Sequence, residues 1–391
     1  MSRAPLRNAY QPTTRLSKRM RHGRLAPWLV LMVLLPASAS PVPALVWRIE
    51  PVDVDHVFRA ELDIASDASG ALHVVYARDV NTVYLKQELG LWLEQLVVPG
   101  GGGGAIALGP GGEPHISHGY GEARYSAKLD GVWTHELIPG GRGWKTDIAV
   151  DHESRAHVLT RRSGGGLLYA MRDAGGAWTT ETLSAAEGTG AHGIAVDSQG
   201  RPHVVFPTSV PLGLAYMTKT ASGWQSQQIA TIFGQEADIA IDSNDRLHVV
   251  YNDQFGRRLY YAHNDGTGWT TTVALRAGTA MHHNAIAVDA SGKPHVVYSE
   301  RLCFCTLEAL AGHPWYATPT ADGTWTSALI DPSALAYGLA ITADPNGVPR
   351  VLYGVIWDQA LETIRRPVGR YDLQYAEPLT QMPSRVPRAL V

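Results

Sequence analysis

The chain has 391 residues, 45% hydrophobic and 18% charged, which is apolar enough for a substantial core and too apolar for a disordered polymer. Two cysteines exclude a disulfide-built scaffold and any zinc site made of four cysteines. The net charge of −3 hides an asymmetry: residues 1–39 hold seven of the 33 Lys and Arg and no acid, leaving 26 basic against 36 acidic residues beyond them. Nucleic acid is a poor partner for such a surface, because phosphates are held by Lys and Arg.

In chain order, the first segment reads as an address. Its seven positive charges precede the apolar run Leu25 to Leu35, and Pro36 then leads to Ala37, Ser38 and Ala39. A basic region, a short apolar region and an A-x-A site form a secretory signal peptide over 1–39. The run falls short of the ~20 apolar residues of a membrane span. The expected location is therefore secreted or periplasmic, with no membrane span.

From residue 44 to about 380 one phrase recurs. Asp238-Ile239-Ala240-Ile241-Asp242 leads to His248-Val249-Val250-Tyr251, and copies run from Gly193 to Phe206 and from Ala285 to Tyr298. Further copies begin at Asp63, Ala105, Asp147 and Gly338. The repeated histidine falls at His73, His115, His157, His203, His248 and His295, with Arg350 in the seventh place, at intervals of 42 to 55 residues. A third segment in each unit centres on a tyrosine (Tyr84, Tyr125, Tyr169, Tyr216, Tyr261, Tyr316, Tyr375). A fourth opens near a tryptophan (Trp92, Trp133, Trp178, Trp224, Trp269, Trp325). Four short strands per unit, repeated seven times, predict an all-β, seven-bladed propeller over 44–380 with a C-terminal tail at 381–391. The last unit lacks its tryptophan strand, while Trp47 stands 17 residues before Ile64, as Trp269 does before Ile286. The N-terminal strand is therefore expected to complete the seventh blade and close the ring.

The phrase Ile-Ala-Val-Asp-x-x-Gly-x-Pro-His-Val-Val-(Phe/Tyr), as at 194–206 and 286–298, resembles the BNR/Asp-box-like seven-bladed propellers of exported bacterial proteins. The resemblance implies the fold; its members include lectin-like binders and lyases, so it does not assign an activity. Two features separate the chain from sialidases. Asp-x-x-Gly-x-Pro-His replaces Ser-x-Asp-x-Gly-x-x-Trp, and no Phe-Arg-Ile-Pro element starts an arginine triad.

A residue present in nearly every unit serves the unit. The six histidines are expected to make inter-blade hydrogen bonds, and Asp67, Asp151, Asp197, Asp242 and Asp289 to cap the turn between the first two strands. Function is sought among the unrepeated residues leading into the innermost strands, which should converge on the axis. These are Asp63, Asp147, Asp238, His192, His282, His283, Asn284, Glu236 and Tyr337. The three aspartates could cap loops or form a carboxylate cluster. His192, His283 and Asp238 would give three ligands to a divalent metal, zinc or calcium. The long loops of blades six and seven bring Arg301, Trp315, Trp357 and Arg365, a mixture suited to carbohydrate. Arg161 and Arg162 form an exposed basic pair in blade three. Cys303 and Cys305 are spaced too closely for a relaxed disulfide in an extended strand.

Two functions follow as expectations. One is a binding protein for carbohydrate or another extracellular polymer. The other is a polysaccharide lyase acting on uronate, with His192, His283, Tyr337 and Arg301 as its catalytic groups.

Overall fold

The computed structural model describes residues 45–56, 61–184, 192–209, 211–231, 236–253, 257–276, 281–300, 312–356 and 371–379. All of its regular structure is β, arranged as seven four-stranded antiparallel blades. Blade one is Leu62–Ser66, Leu72–Arg78, Asn81–Glu88 and Leu91–Val98, innermost strand first. Blades four, five and six repeat this plan. Blades two and three share one long strand, Val132–Val150, which is outermost in blade two and then innermost in blade three.

The local chemistry of each blade follows from its repeated residues. In blade four, Asp197 Oδ1 accepts the backbone N–H of Gln199 and Arg201, fixing the turn between the first two strands. Asp197 Oδ2 lies 3.1 Å from His203 Nε2, and His203 Nδ1 lies 2.6 Å from the Tyr216 hydroxyl. With the tyrosine donating to Nδ1 and Nε2–H donating to the carboxylate, a neutral imidazole satisfies both neighbours. Burial holds His203 below the ordinary histidine value. The Asp–His–Tyr line recurs in blades one, three and six, and in blade five with a longer Asp242–His248 approach of 3.5 Å. In blade seven Arg350 donates to both Asp344 and Tyr375. Blade two has Gly109 where the aspartate belongs, and the buried His115 Nε2 is left without a partner.

The capping role of the turn aspartates is borne out, but the inter-blade role expected for the histidines is not. Both histidine partners belong to its own blade, because the ring points along the sheet toward the third strand. Blades are joined by aromatic rings instead. Each tyrosine meets the tryptophan of the following blade with centroids 5.0–5.7 Å apart: Tyr84–Trp133, Tyr125–Trp178, Tyr169–Trp224, Tyr216–Trp269, Tyr261–Trp325, Tyr316–Trp47 and Tyr375–Trp92. Most of these contacts are edge-to-face, the arrangement the ring quadrupole favours.

Seven such junctions require a closed circle. Trp47–His56 pairs antiparallel with Tyr371–Pro378, from Trp47 opposite Pro378 to His56 opposite Tyr371. Glu50 on that strand accepts the Trp92 indole N–H at 3.3 Å, and Asp53 accepts Arg78 Nε at 2.8 Å and the Tyr76 hydroxyl at 2.7 Å. The terminal strand is thus bonded on one side to blade seven and through its side chains to blade one. No helix among the described residues is long and apolar enough to cross a membrane. Residues 1–39 and 381–391 lie outside the described residues.

Candidate functional site

The innermost strands contact one another in a ring, so each has an inner edge with no partner strand. Its N–H groups need other acceptors. Asp63 supplies them for two blades at once: one oxygen accepts Ile64 N–H at 2.8 Å, the other Ile106 N–H of blade two at 2.8 Å. Asp147 does the same for Ile148 and Ile194, and Asp238 for Ile239 and Ile286. A carboxylate has two oxygens, so an aspartate on every second blade suffices. Blades two, four and six accordingly carry Ala105, Gly193 and Ala285 at the equivalent position. Seven is odd, and blade seven, with Gly338, is left over.

These aspartates are therefore staples within the strands, which corrects the expectation that they cap loops. Each is half-buried between the innermost strands. Burial pushes the Asp63 carboxyl up to about 7 and that of Asp238 to about 6, against the opposing pull of two amide donors. Asp147 is raised well above the usual carboxylate range by burial and by repulsion from Asp238 and Asp63. The three carboxylates stand on the innermost strands of blades one, three and five, near enough for charge on one to act on another.

Above the staples lies a less regular rim. Residues two positions earlier share the staple's side of the strand in a regular ladder, which brings Glu61, Lys145, Glu236 and His283 to this level. Three backbone irregularities break the ladder. Lys145 and His283 adopt left-handed conformations, with φ of 52° and 45°. The register slips between His282 and Asn284, between Ala336 and Leu339, and opposite Leu159 to Arg161. Bulges re-aim side chains, and non-glycine residues at such φ carry about 1–3 kcal/mol of strain. In blade seven the slip inserts Tyr337, and in blade six it singles out His283.

The two insertions meet. The His283 ring lies 5.5 Å from that of Tyr337, edge to face, and His283 Nδ1 lies 3.4 Å from Glu236 Oε1. Its other nitrogen, Nε2, is buried with no hydrogen-bond partner, and so are both amide atoms of the neighbouring Asn284. Glu236 is held in turn: its N–H donates to Asn252 Oδ1, while Asn252 Nδ2 donates to Met281 O of blade six. Blades five, six and seven thus build a braced Glu–His–Tyr group with three unsatisfied polar atoms, each costing about 1–3 kcal/mol unless a ligand or water fills it.

The other sequence-derived residues separate from this group. His192 Nε2 lies 3.3 Å from the Leu159 carbonyl, tying blade four to blade three, and burial lowers its pKa to about 4. With Asp238 bonded to two amides and His283 to Glu236, the trio His192, His283 and Asp238 does not fit a metal. Among the described residues no three His, Cys, Asp or Glu gather as one. Trp315 stacks on Tyr298, centroids 6.3 Å apart and planes 14° apart, and packs half-buried against the core of blades five and six. His282 lies in the inner strand of blade six. Arg301, Cys303, Cys305, Trp357 and Arg365 lie outside the described residues.

No protein-family model matches the chain, and no curated protein matches it either. Solved structures do. A streptogramin B lyase is 13% identical over 85% of this chain and 98% of its own, with a TM-score of 0.57. A catalytically inactive virginiamycin B lyase from Staphylococcus aureus, with quinupristin, is 12% identical over 85% and 100%, at 0.58. The lectin SapL1 in complex with alpha methyl fucoside is 16% identical over 71% and 98%, at 0.50. At such identities the likeness is one of fold, and it agrees with the closed ring: the chain is a seven-bladed β-propeller.

Proposed function

We propose that this chain is an exported propeller that binds carbohydrate or another extracellular polymer at the rim of its bore. The observation that carries this is the braced group at blades five to seven, where His283 Nε2 and both amide atoms of Asn284 are buried and unpaired. The repeated residues point the same way by elimination. Most of the repeated Asp, His, Tyr and Trp are engaged in turns and junctions, and the Asp is missing from blade two and the His from blade seven, so a lectin with one ligand per blade would lack residues for it. A single asymmetric site remains. Export rests on the signal-peptide pattern of residues 1–39 and the BNR/Asp-box likeness on the repeat phrase.

Asn284→Ala is expected to weaken retention on a polysaccharide affinity gel at least tenfold with the thermal midpoint kept within a few degrees. Unchanged retention would remove the rim from the binding site.

A second reading, lyase chemistry, is favoured by His283 itself. Its Nδ1 faces the Glu236 carboxylate, which orients the ring and leaves the unpartnered Nε2 to act as the base. In an elimination, Nε2 takes the proton from the carbon next to a uronate carboxylate. That electron pair becomes the new C=C bond as the bond to the glycosidic oxygen breaks, and the Tyr337 hydroxyl protonates the departing oxygen. Uronate polymers should then acquire the ultraviolet absorbance of an unsaturated product, and His283→Ala should abolish it. A uronate panel that stays transparent with the unsubstituted protein removes this reading and leaves the binding site.

A further inference from the structure

The innermost strand of every blade ends in a tight turn, and in six of the seven an aspartate side chain organises that turn. One carboxylate oxygen of Asp67, Asp151, Asp197, Asp242, Asp289 and Asp344 accepts two backbone N–H groups, two and four residues on, at 2.8–3.0 Å. The other oxygen faces the side chain six residues on. That group is a histidine Nε2 at 3.1–3.5 Å or, in blade seven, Arg350 at 2.7 Å. Each carboxylate thus lies in a cradle of two main-chain amides and one side-chain donor. Such concave groups of N–H donors are suited to anions.

Blade two folds the same turn without the aspartate. Gly112 N–H donates to Gly109 O at 2.9 Å and Gly109 N–H to Glu113 O at 2.8 Å, as in the sister turns. The cradle keeps its donors, the N–H groups of Gly111 and Glu113 and the Nε2 of His115. The Tyr125 hydroxyl lies 2.6 Å from His115 Nδ1; with the tyrosine donating there, the ring carries its proton on Nε2. His115 is 1% exposed, and its Nε2 is buried with no partner. A side-chain carbon added at Gly109 would stand 3.0 Å from that nitrogen, so Nε2 faces the place that an aspartate takes elsewhere. Glu113 covers the cradle in part. Its Oε2 accepts Gly111 N–H at 3.0 Å but leaves His115 unsatisfied. Glu113 is half-buried beside the exposed Gly111, and its flexible side chain can swing out toward solvent.

We propose that this turn of blade two binds a small free carboxylate, formate in preference to acetate, in the cradle that an aspartate side chain fills in the other six blades. The two oxygens meet the two amides and the imidazole as the aspartate oxygens do in those blades. The size preference follows from packing. An aspartate carboxylate is bonded through Cβ to its own Cα, whereas a free molecule must stand off from Gly109 by a van der Waals contact of about 3.5–4 Å. The smallest carboxylate therefore fits best, and Glu113 competes with it for Gly111 N–H. The strand Gly104–Leu108 separates this turn from the rim, so the site is independent of the polymer reading above.

The test follows the imidazole nitrogens of His115 by NMR in the full chain while sodium formate or sodium acetate replaces sodium chloride at constant ionic strength. Formate should shift the Nε2 resonance saturably, and acetate should need at least threefold more for half-saturation. Glu113→Ala removes the competing carboxylate and should lower the half-saturating formate concentration at least threefold. Gly109→Asp supplies the missing side chain and should abolish the response. Gly109 is not in the left-handed region, and the atoms nearest an added carbon are the ends of the Glu113 and His115 side chains. A His115 resonance that formate leaves unmoved in both the unsubstituted chain and Glu113→Ala overturns the site. So does a saturable shift that persists in Gly109→Asp.

Discussion

Asp63→Ala should destabilise the propeller by a pH-dependent amount, more at pH 5 than at pH 8. The substitution leaves two N–H groups, of Ile64 and Ile106, without their acceptor, at about 1–3 kcal/mol each. To that is added the proton linkage of the lost carboxyl. Its pKa is about 7 in the folded chain against 3.8 for the free side chain. Between those values the folded state binds more protons than the unfolded one, so the group's contribution declines as pH rises. The decline is complete just above pH 7. From pH 5 to pH 8 it amounts to about 2–3 kcal/mol, at roughly 1.4 kcal/mol per pKa unit.

Urea unfolding of both proteins at the two pH values gives the comparison. Because only the difference between the two proteins is read, the buried histidines cancel. They matter otherwise: His115, His118 and His192 are lowered to about 4 by burial, which makes stability rise with pH between about 4 and 6.5. A destabilisation that stays constant or grows toward pH 8 would mean that the staple is already ionised at pH 5. Its burial would then count for little.

The fold was legible because its determinants are repeated. Each unit announces its turn aspartate, its histidine, its tyrosine and its tryptophan, and their spacing alone gives blade number and closure. Even the staples are written in the sequence as an alternation, aspartate at 63, 147 and 238 and small residues at 105, 193 and 285. What the spacing does not carry is the direction of a bond. The histidines bond within the blade because of where one ring points, and that is a matter of rotamer and register.

The rim was legible in part. His283, Asn284, Glu236 and Tyr337 stood out because they are unrepeated and precede inner strands. Their meeting depends on backbone slips at His283 and at Tyr337, and a bulge has no sequence mark beyond an extra residue in a phrase of variable length. His192 shows the converse. It has the right position and chemistry for a site, but with no slip to turn it inward it bonds to the Leu159 carbonyl. The arginines of blade three were visible as an exposed pair; the opposition of Arg142 to Arg161 appears only once the long strand Val132–Val150 is seen to serve two blades.

Closure itself yields the second large effect, at Trp47. This residue is the seventh blade's tryptophan, 9% exposed, with its ring 5.3 Å from Tyr316 of blade six. It also packs with Val297, Ile330 and Tyr353 in one cluster. Trp47→Ala should cost about 3–5 kcal/mol, the range for removing a large aromatic ring from a core. Its indole N–H, unlike that of Trp92, is buried without a partner, so part of the native side chain is a liability. Trp47→Phe retains most of the ring contact and removes the orphaned donor, and should fall within about 1.5 kcal/mol of the unsubstituted chain. Removing residues through His56 takes away the whole strand paired with Tyr371–Pro378. It bares a sheet edge that is expected to drive aggregation. Urea midpoints for the two point variants and light scattering for the truncation test the series. If Trp47→Ala unfolds at the same urea concentration as the unsubstituted chain, the packing of Trp47 on Tyr316 is not what holds the sixth and seventh blades together.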